Sequence, residues 1–197
     1  EMELLAWTGL PVIVLLNLGL SWAPTWHYAV VIGYDLDDES FLLRSGPMER
    51  QVMPFRTFEL TWERAGKWAF VVVPPGQLAA TADEALTTRA LVAFEKAAPA
   101  GRAVPAYRAA LARWPDSLTL AMGLGNSQYQ VGNLRGAEAA FRAAAKRHDA
   151  AVAWNNLANV LLELKRPVEA RKAAQRAVEL GGPTADAAQD TLKRIGR

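Results

Sequence analysis

The second half of the chain repeats itself. Leu124-Gly125, Gln128, Gly132, Ala137, Phe141 and Ala144 recur as Leu157-Ala158, Leu161, Lys165, Ala170, Ala174 and Ala177, at a constant offset of 33 residues. An earlier copy fits Leu91, Phe94, Ala98, Ala103, Tyr107, Ala110 and Pro115 at roughly the same period. A fixed period of this length implies one small unit stacked on copies of itself, because a single unit cannot bury its own apolar face. Within each period the apolar residues follow helical spacing, and small residues recur where paired helices touch. From about residue 81 the spacing predicts helices only: hairpins over 84–117, 118–150 and 151–183, then a capping helix at 184–195.

These positions occupy the small and large slots of the tetratricopeptide repeat (TPR), with Trp154 and Pro115 also in register, and residues 84–183 resemble three repeats of that family. The resemblance implies a superhelical stack whose inner helices line a concave groove for a peptide or protein partner. By register the exposed groove positions are Thr88, Glu95, Met122, Asn126, Tyr129, Asn155 and Asn159. Asn126, Tyr129, Asn155 and Asn159 are the candidate peptide-binding residues, since an asparagine amide offers a donor and an acceptor to an extended backbone. A plain scaffold without a ligand is the alternative. Gly123-Leu124-Gly125-Asn126 falls inside a helix, where glycine serves close packing rather than a phosphate cradle.

The first part of the chain is different in kind. Residues 1–78 carry 5 Lys+Arg against 9 Asp+Glu, whereas 79–197 carry 17 against 11, and most of the Trp and Phe precede residue 78. Thr25 to Asp35 alternates, with His27, Ala29, Val31 and Gly33 on one side and Tyr28, Val30, Ile32 and Tyr34 on the other, so a central strand is expected there. Residues 1–8 read as the end of a helix stopped by Gly9 and Pro11, and 11–17 as a strand buried on both faces. Residues 18–25 form a loop, with Trp22 and Trp26 placed to wall a cleft beside His27. Asp35, Asp37 and Asp38 make a turn. Strands follow at 41–45 and 50–54, then an amphipathic helix at 55–66 with Phe55, Phe58 and Trp62 in one stripe, then a buried strand at 67–73. The expected fold class is α+β: a curved antiparallel sheet over 1–78 followed by an all-α solenoid over 79–197.

The order of these segments, with His27-Tyr28 opening the central strand, Gly33-Tyr34-Asp35 closing it and a Phe58/Trp62 helix behind, resembles the second half of the peptidase C39-like family over about residues 9–75. Members are papain-like cysteine peptidases, and some carry TPRs behind the catalytic domain. The resemblance implies that His27 is the general base that draws the proton from a thiol. The residue orienting its imidazole would stand near Arg44-Ser45-Gly46-Pro47, with Ser45 or Gly46 where the family usually has an acid. The chain has no cysteine. The nucleophile is therefore expected upstream of residue 1, on a helix covering the small-residue side of the strand at Ala29 and Gly33, and this chain is expected to be inactive as it stands. Residue 1 is Glu, which points to a piece of a longer product. A homodimer covering the exposed sheet face is a further expectation.

Other chemistries find less support. Ser45 as a nucleophile lacks a G-x-S-x-G elbow. Asp35 lies eight residues beyond His27, roughly 26 Å along a straight strand, too far to orient it. His27 and His148 are the only histidines and do not have metal-ligand spacing, so neither metal nor cofactor is expected. Basic residues are spread along helices rather than clustered, which argues against nucleic acid. The apolar run Pro11 to Leu20 is too short to span a bilayer. A non-catalytic peptide-binding scaffold stays open beside the peptidase.

Overall fold

A computed structural model describes residues 10–195; the helix expected at 1–8 lies outside the described residues. The chain divides into two compact units, one reaching Pro74 and including Ala79–Ala82, the other made of Pro75–Leu78 and the residues from Asp83 on.

The first unit is a five-stranded, fully antiparallel sheet in the order β4-β3-β2-β1-β5. Its strands are β1 (Val12–Asn17), β2 (Trp26–Asp35), β3 (Ser40–Ser45), β4 (Met48–Pro54) and β5 (Ala69–Val71), with helix α1 (Phe55–Glu63) between β4 and β5. The alternation in β2 sets its pairing. Val31 lies opposite Val12 on one side and Leu43 on the other, and His27 lies opposite Leu16. A bulge at Ile32 shifts the register to β3 before Gly33. Asp35 caps the turn that follows, its Oδ1 accepting the backbone N–H groups of Asp37 and Asp38.

One face of this sheet is a dense core. Val12, Val14, Leu16, Ala29, Val31, Phe41, Leu43 and Met53 are buried beneath Phe58 of α1. Phe41 packs at a tilt against Phe55 and Phe58, with ring centroids 4.6 Å apart in each pair. Burying a phenylalanine contributes up to about 3 kcal/mol. The face that carries His27, Ala29 and Val31 thus has a helix of this chain, α1, packed on its core residues. The apolar stripe at Phe55, Phe58 and Trp62 marks α1 as buried without saying which sheet face it covers.

The opposite face corrects two expectations. Ile13 and Leu15 of β1 are half-buried rather than closed over, and β5 spans three residues, with Phe70 and Val72 exposed. Trp68 makes edge contacts with Tyr28 and Phe70 at 5.8 and 5.4 Å. All three rings remain open to solvent. Continuous hydrophobicity signals strand, but it does not say that both sides are covered.

The second unit contains α2 (Glu84–Ala97), α3 (Val104–Arg113), α4 (Leu118–Gln130), α5 (Leu134–His148), α6 (Ala151–Glu163), α7 (Pro167–Leu180) and α8 (Ala185–Ile195), with a 3₁₀ turn at Gly182–Thr184. Two glycines of α4 explain how its neighbours come close. A Cβ on Gly123 would enter the ring of Tyr107 on α3, and one on Gly125 the ring of Phe141 on α5. Alanines 137, 144, 158, 170, 174 and 177 fill the remaining helix contacts and are almost fully buried. The turns inside the pairs repeat too: Gly132 and Lys165, 33 residues apart, both have left-handed backbone, at φ of 73° and 62°.

Polar ties stitch the stack. Glu95 on α2 accepts from Tyr107 Oη at 2.8 Å and from Ser127 Oγ at 2.5 Å, linking three helices. Burial, and secondarily the Glu95 carboxylate, push the Tyr107 phenol well above its ordinary range. On the outer helices Arg166 bridges Glu138 and Glu169 at 2.7 Å each, and Arg142 joins both acids.

Candidate functional site

The sequence singles out His27, and its surroundings begin with Asn17. This residue ends β1, is 1 % exposed, and turns its amide into the loop that follows. Its Oδ1 accepts from Gly19 N at 3.0 Å and Thr25 N at 2.9 Å, while Leu18 N donates to Thr25 O. Gly19 must be glycine here, because a side chain would strike Ala23 O and Thr25 N. Arg64, just beyond α1, donates from Nε and Nη2 to the Asn17 carbonyl at 3.2 and 3.0 Å. The 18–25 loop is therefore fixed at both ends and tied to the helix. Sequence reasoning missed Asn17 and Arg64; a polar residue closing a continuous apolar strand was the available signal.

At the other end of that arrangement, His27 enters β2 opposite Leu16 and is half-buried. Its Nε2 lies 2.7 Å from Ser45 Oγ. Ser45, at the end of β3, is only 6 % exposed, so its hydroxyl is held within the sheet rather than offered to solvent. The Nδ1 atom of His27 has no hydrogen bond to any described residue. Chemically, an imidazole anchored through one nitrogen keeps the other for a proton it can take or give.

The two tryptophans do not close around this ring. Trp22 is 83 % exposed at the loop tip, and Trp26 belongs by strand alternation to the face opposite His27. Asp35 stays in its turn, hydrogen-bonded to its own loop.

In the helical unit the four candidate groove residues separate into two pairs. Asn126 and Tyr129 of α4 are exposed, with the Tyr129 hydroxyl donating to Glu163 of α6. That bond raises the Tyr129 phenol above its usual value, with burial and the nearby Glu163 charge adding to it. Asn155 and Asn159, by contrast, are engaged by α8. Thr191 donates to Asn155 Oδ1 at 3.1 Å, Asn155 is buried, and Arg194 Nη1 donates to Asn159 Oδ1 at 3.1 Å. The expectation of an open groove at α6 fails because the capping helix presents Thr191 to it, a polar contact that spacing alone did not reveal. Glu95 likewise is committed to Tyr107 and Ser127, and the Thr88 hydroxyl is buried without a partner.

Taken together, the helical unit is a stack of antiparallel helix pairs with small-residue contacts and a closing helix, attached to a sheet with a histidine–serine pair. The stack consists of tetratricopeptide repeats: the sequence pattern of that family matches residues 93–134 and 122–189. No curated protein matches the sequence. Among solved structures, the first TPR of Spaghetti (RPAP3) bound to the HSP90 peptide SRMEEVD is similar at 18 % identity and TM-score 0.52, over 57 % of this chain and 92 % of that one. The Yersinia enterocolitica type III secretion chaperone SycD, in complex with a peptide of the translocator YopD, is similar at 15 % identity and TM-score 0.54, over 59 % and 96 %. YrrB, described as a TPR protein with an unusual peptide-binding site, is similar at 23 % identity and TM-score 0.51, over 57 % and 58 %. At these identities the likeness establishes the helical fold. No helix among the described residues is long and apolar enough to cross a membrane.

Proposed function

We propose that the sheet unit is the histidine-bearing part of a papain-like, C39-like cysteine peptidase and that the TPR unit binds a peptide or protein beside it. The observation that carries this reading is the 2.7 Å approach of His27 Nε2 to Ser45 Oγ. Ser45 is the position at which the family resemblance places the orienting group, and anchoring Nε2 leaves Nδ1 as the base toward a thiol. Ser45 supports the ring by a hydrogen bond but adds no negative charge, so it stabilises an imidazolium less than a carboxylate would. In this reading a separate thiol-bearing segment supplies the sulfur.

The test uses the full natural product that contains the thiol. Peptide cleavage is expected to vanish on alkylation and with His27→Ala, and to fall about ten-fold or more with Ser45→Ala. Cleavage that survives alkylation, or none at all in a product with a reactive thiol, removes this reading.

A second reading has its own support. The helical unit shares its fold with proteins whose structures contain bound peptides, and Asn126 and Tyr129 are exposed on adjoining turns of α4. In this reading the chain is a non-catalytic scaffold. If Asn126→Ala leaves partner pull-down unchanged, α4 is not the binding surface.

A further inference from the structure

The helical unit also contains a hollow on its outer helices that neither reading uses. It lies between α3 and α5, has a volume of 330 Å³, and is open to solvent on one side. Its walls are apolar: Leu111 from α3, Leu124 from α4, and Ala140, Ala143 and Ala144 from α5. The cause is local. Three alanines stand on α5 where larger side chains would fill the space between successive outer helices, so packing that is tight around Gly123 and Gly125 is loose here.

The rim is basic. Lys146, Arg147 and His148, the last residues of α5, all border the hollow. The acids nearby are already paired: Arg147 holds Asp116 at 2.5 Å, and Asp149 is held by Arg176 and by the Trp154 indole at 2.8 Å. Lys146 is exposed and has no ion pair among the described residues. His148 Nε2 is closed off from solvent with no hydrogen-bond partner, an unmet polar group in the wall of the hollow. An apolar recess with the unpaired Lys146 ammonium at its edge selects an apolar side chain flanked by a carboxylate. The open side suits a side chain presented by another chain better than a small molecule, which pockets usually enclose.

We propose that this hollow is a docking site for an acidic segment of a protein partner, which inserts one leucine-sized side chain between α3 and α5 and sets a carboxylate against Lys146. The site is separate from the inner-helix surface at Asn126 and from His27.

The test is fluorescence anisotropy on the 197-residue chain with a labelled peptide of four glutamates around one leucine. Two twins serve as controls, one with serine for the leucine and one with lysines for the glutamates. Saturable binding of the first peptide is expected, weaker by about ten-fold or more for either twin. Ala143→Leu, which fills the mouth from an exposed position, and Lys146→Glu should each weaken it by a similar factor, while Asn126→Ala leaves it unchanged. The proposal is overturned by no saturable binding, by equal binding of the serine twin, by Lys146→Glu having no effect, or by decanoate binding there when the peptide does not. Loss of binding on Asn126→Ala alone overturns it in favour of the inner surface.

Discussion

The two units close their cores by opposite means. In the sheet, large residues far apart in sequence converge: Phe58 of α1 lies over Val12, Val31 and Leu43. In the TPR unit small residues let neighbouring helices approach, with rings from α3 and α5 set against bare glycines of α4. The first design has one finished face and leaves Tyr28, Trp68 and Phe70 open on the other. The second is finished at its end by α8, which buries Ala188 and Thr191. A stack stabilised between nearest neighbours can be trimmed or capped, whereas a sheet held by one helix depends on that helix.

The sharpest way to break this contrast is to remove the ring at its centre. Phe58→Ala should destabilise the sheet unit by about 3–5 kcal/mol, seen as lost amide protection in β1–β3 while the helical ellipticity at 222 nm persists. If helices and sheet melt together, the units are not independent.

Gly125→Ala tests the complementary half. Forcing a methyl into the Phe141 ring should cost the helical unit about 1–3 kcal/mol in urea titration and leave the sheet protected, although alanine is the better helix former. A stabilising result would mean that Phe141 swings aside freely.

A smaller effect, of opposite sign, is expected at Lys165, whose left-handed backbone matches that of Gly132. Lys165→Gly should raise the melting free energy by about 1 kcal/mol, and no gain would show that the turn relaxes. The smallest is acidic. Burial alone would raise the Glu138 carboxyl, but bonds from Arg142 and Arg166 outweigh it and hold the group below its ordinary value. Glu169 is lowered chiefly by the Arg166 hydrogen bond. A carboxyl with a depressed folded-state pKa contributes stability above its unfolded value, near pH 4.3, and loses it as pH falls through the folded value. Arg166→Met should therefore flatten the acid limb of the 222 nm transition, and an unchanged slope would assign the acid sensitivity elsewhere.

Much of this architecture is legible in the residues. Alternation from Trp26 to Val31 marks β2 because each side of the strand meets a different environment, although the bulge at Ile32 then turns Tyr34 rather than Gly33 toward the core, and the 33-residue offset marks the stack because packing repeats with it. The same patterns could not say which sheet face α1 would cover, since an apolar stripe records that a helix is buried but not against what. Nor could they show α8 lying on Asn155 and Asn159, because the contact is made by one threonine and one arginine with no periodic signature. At the site, the sequence points to His27 and Ser45 only through a resemblance, while Asn17 and Arg64 emerge only from the fold, their hydrogen bonds joining positions 47 residues apart.

The proton on His27 tests the account most directly. A base facing a thiol through Nδ1 requires the neutral ring to carry its proton on Nε2, donated to Ser45 Oγ. Long-range ¹H–¹⁵N correlation on the intact chain at neutral to alkaline pH should show that tautomer, with Ser45→Ala shifting the population toward the other. A neutral ring protonated on Nδ1, with Ser45 donating to Nε2, would contradict it.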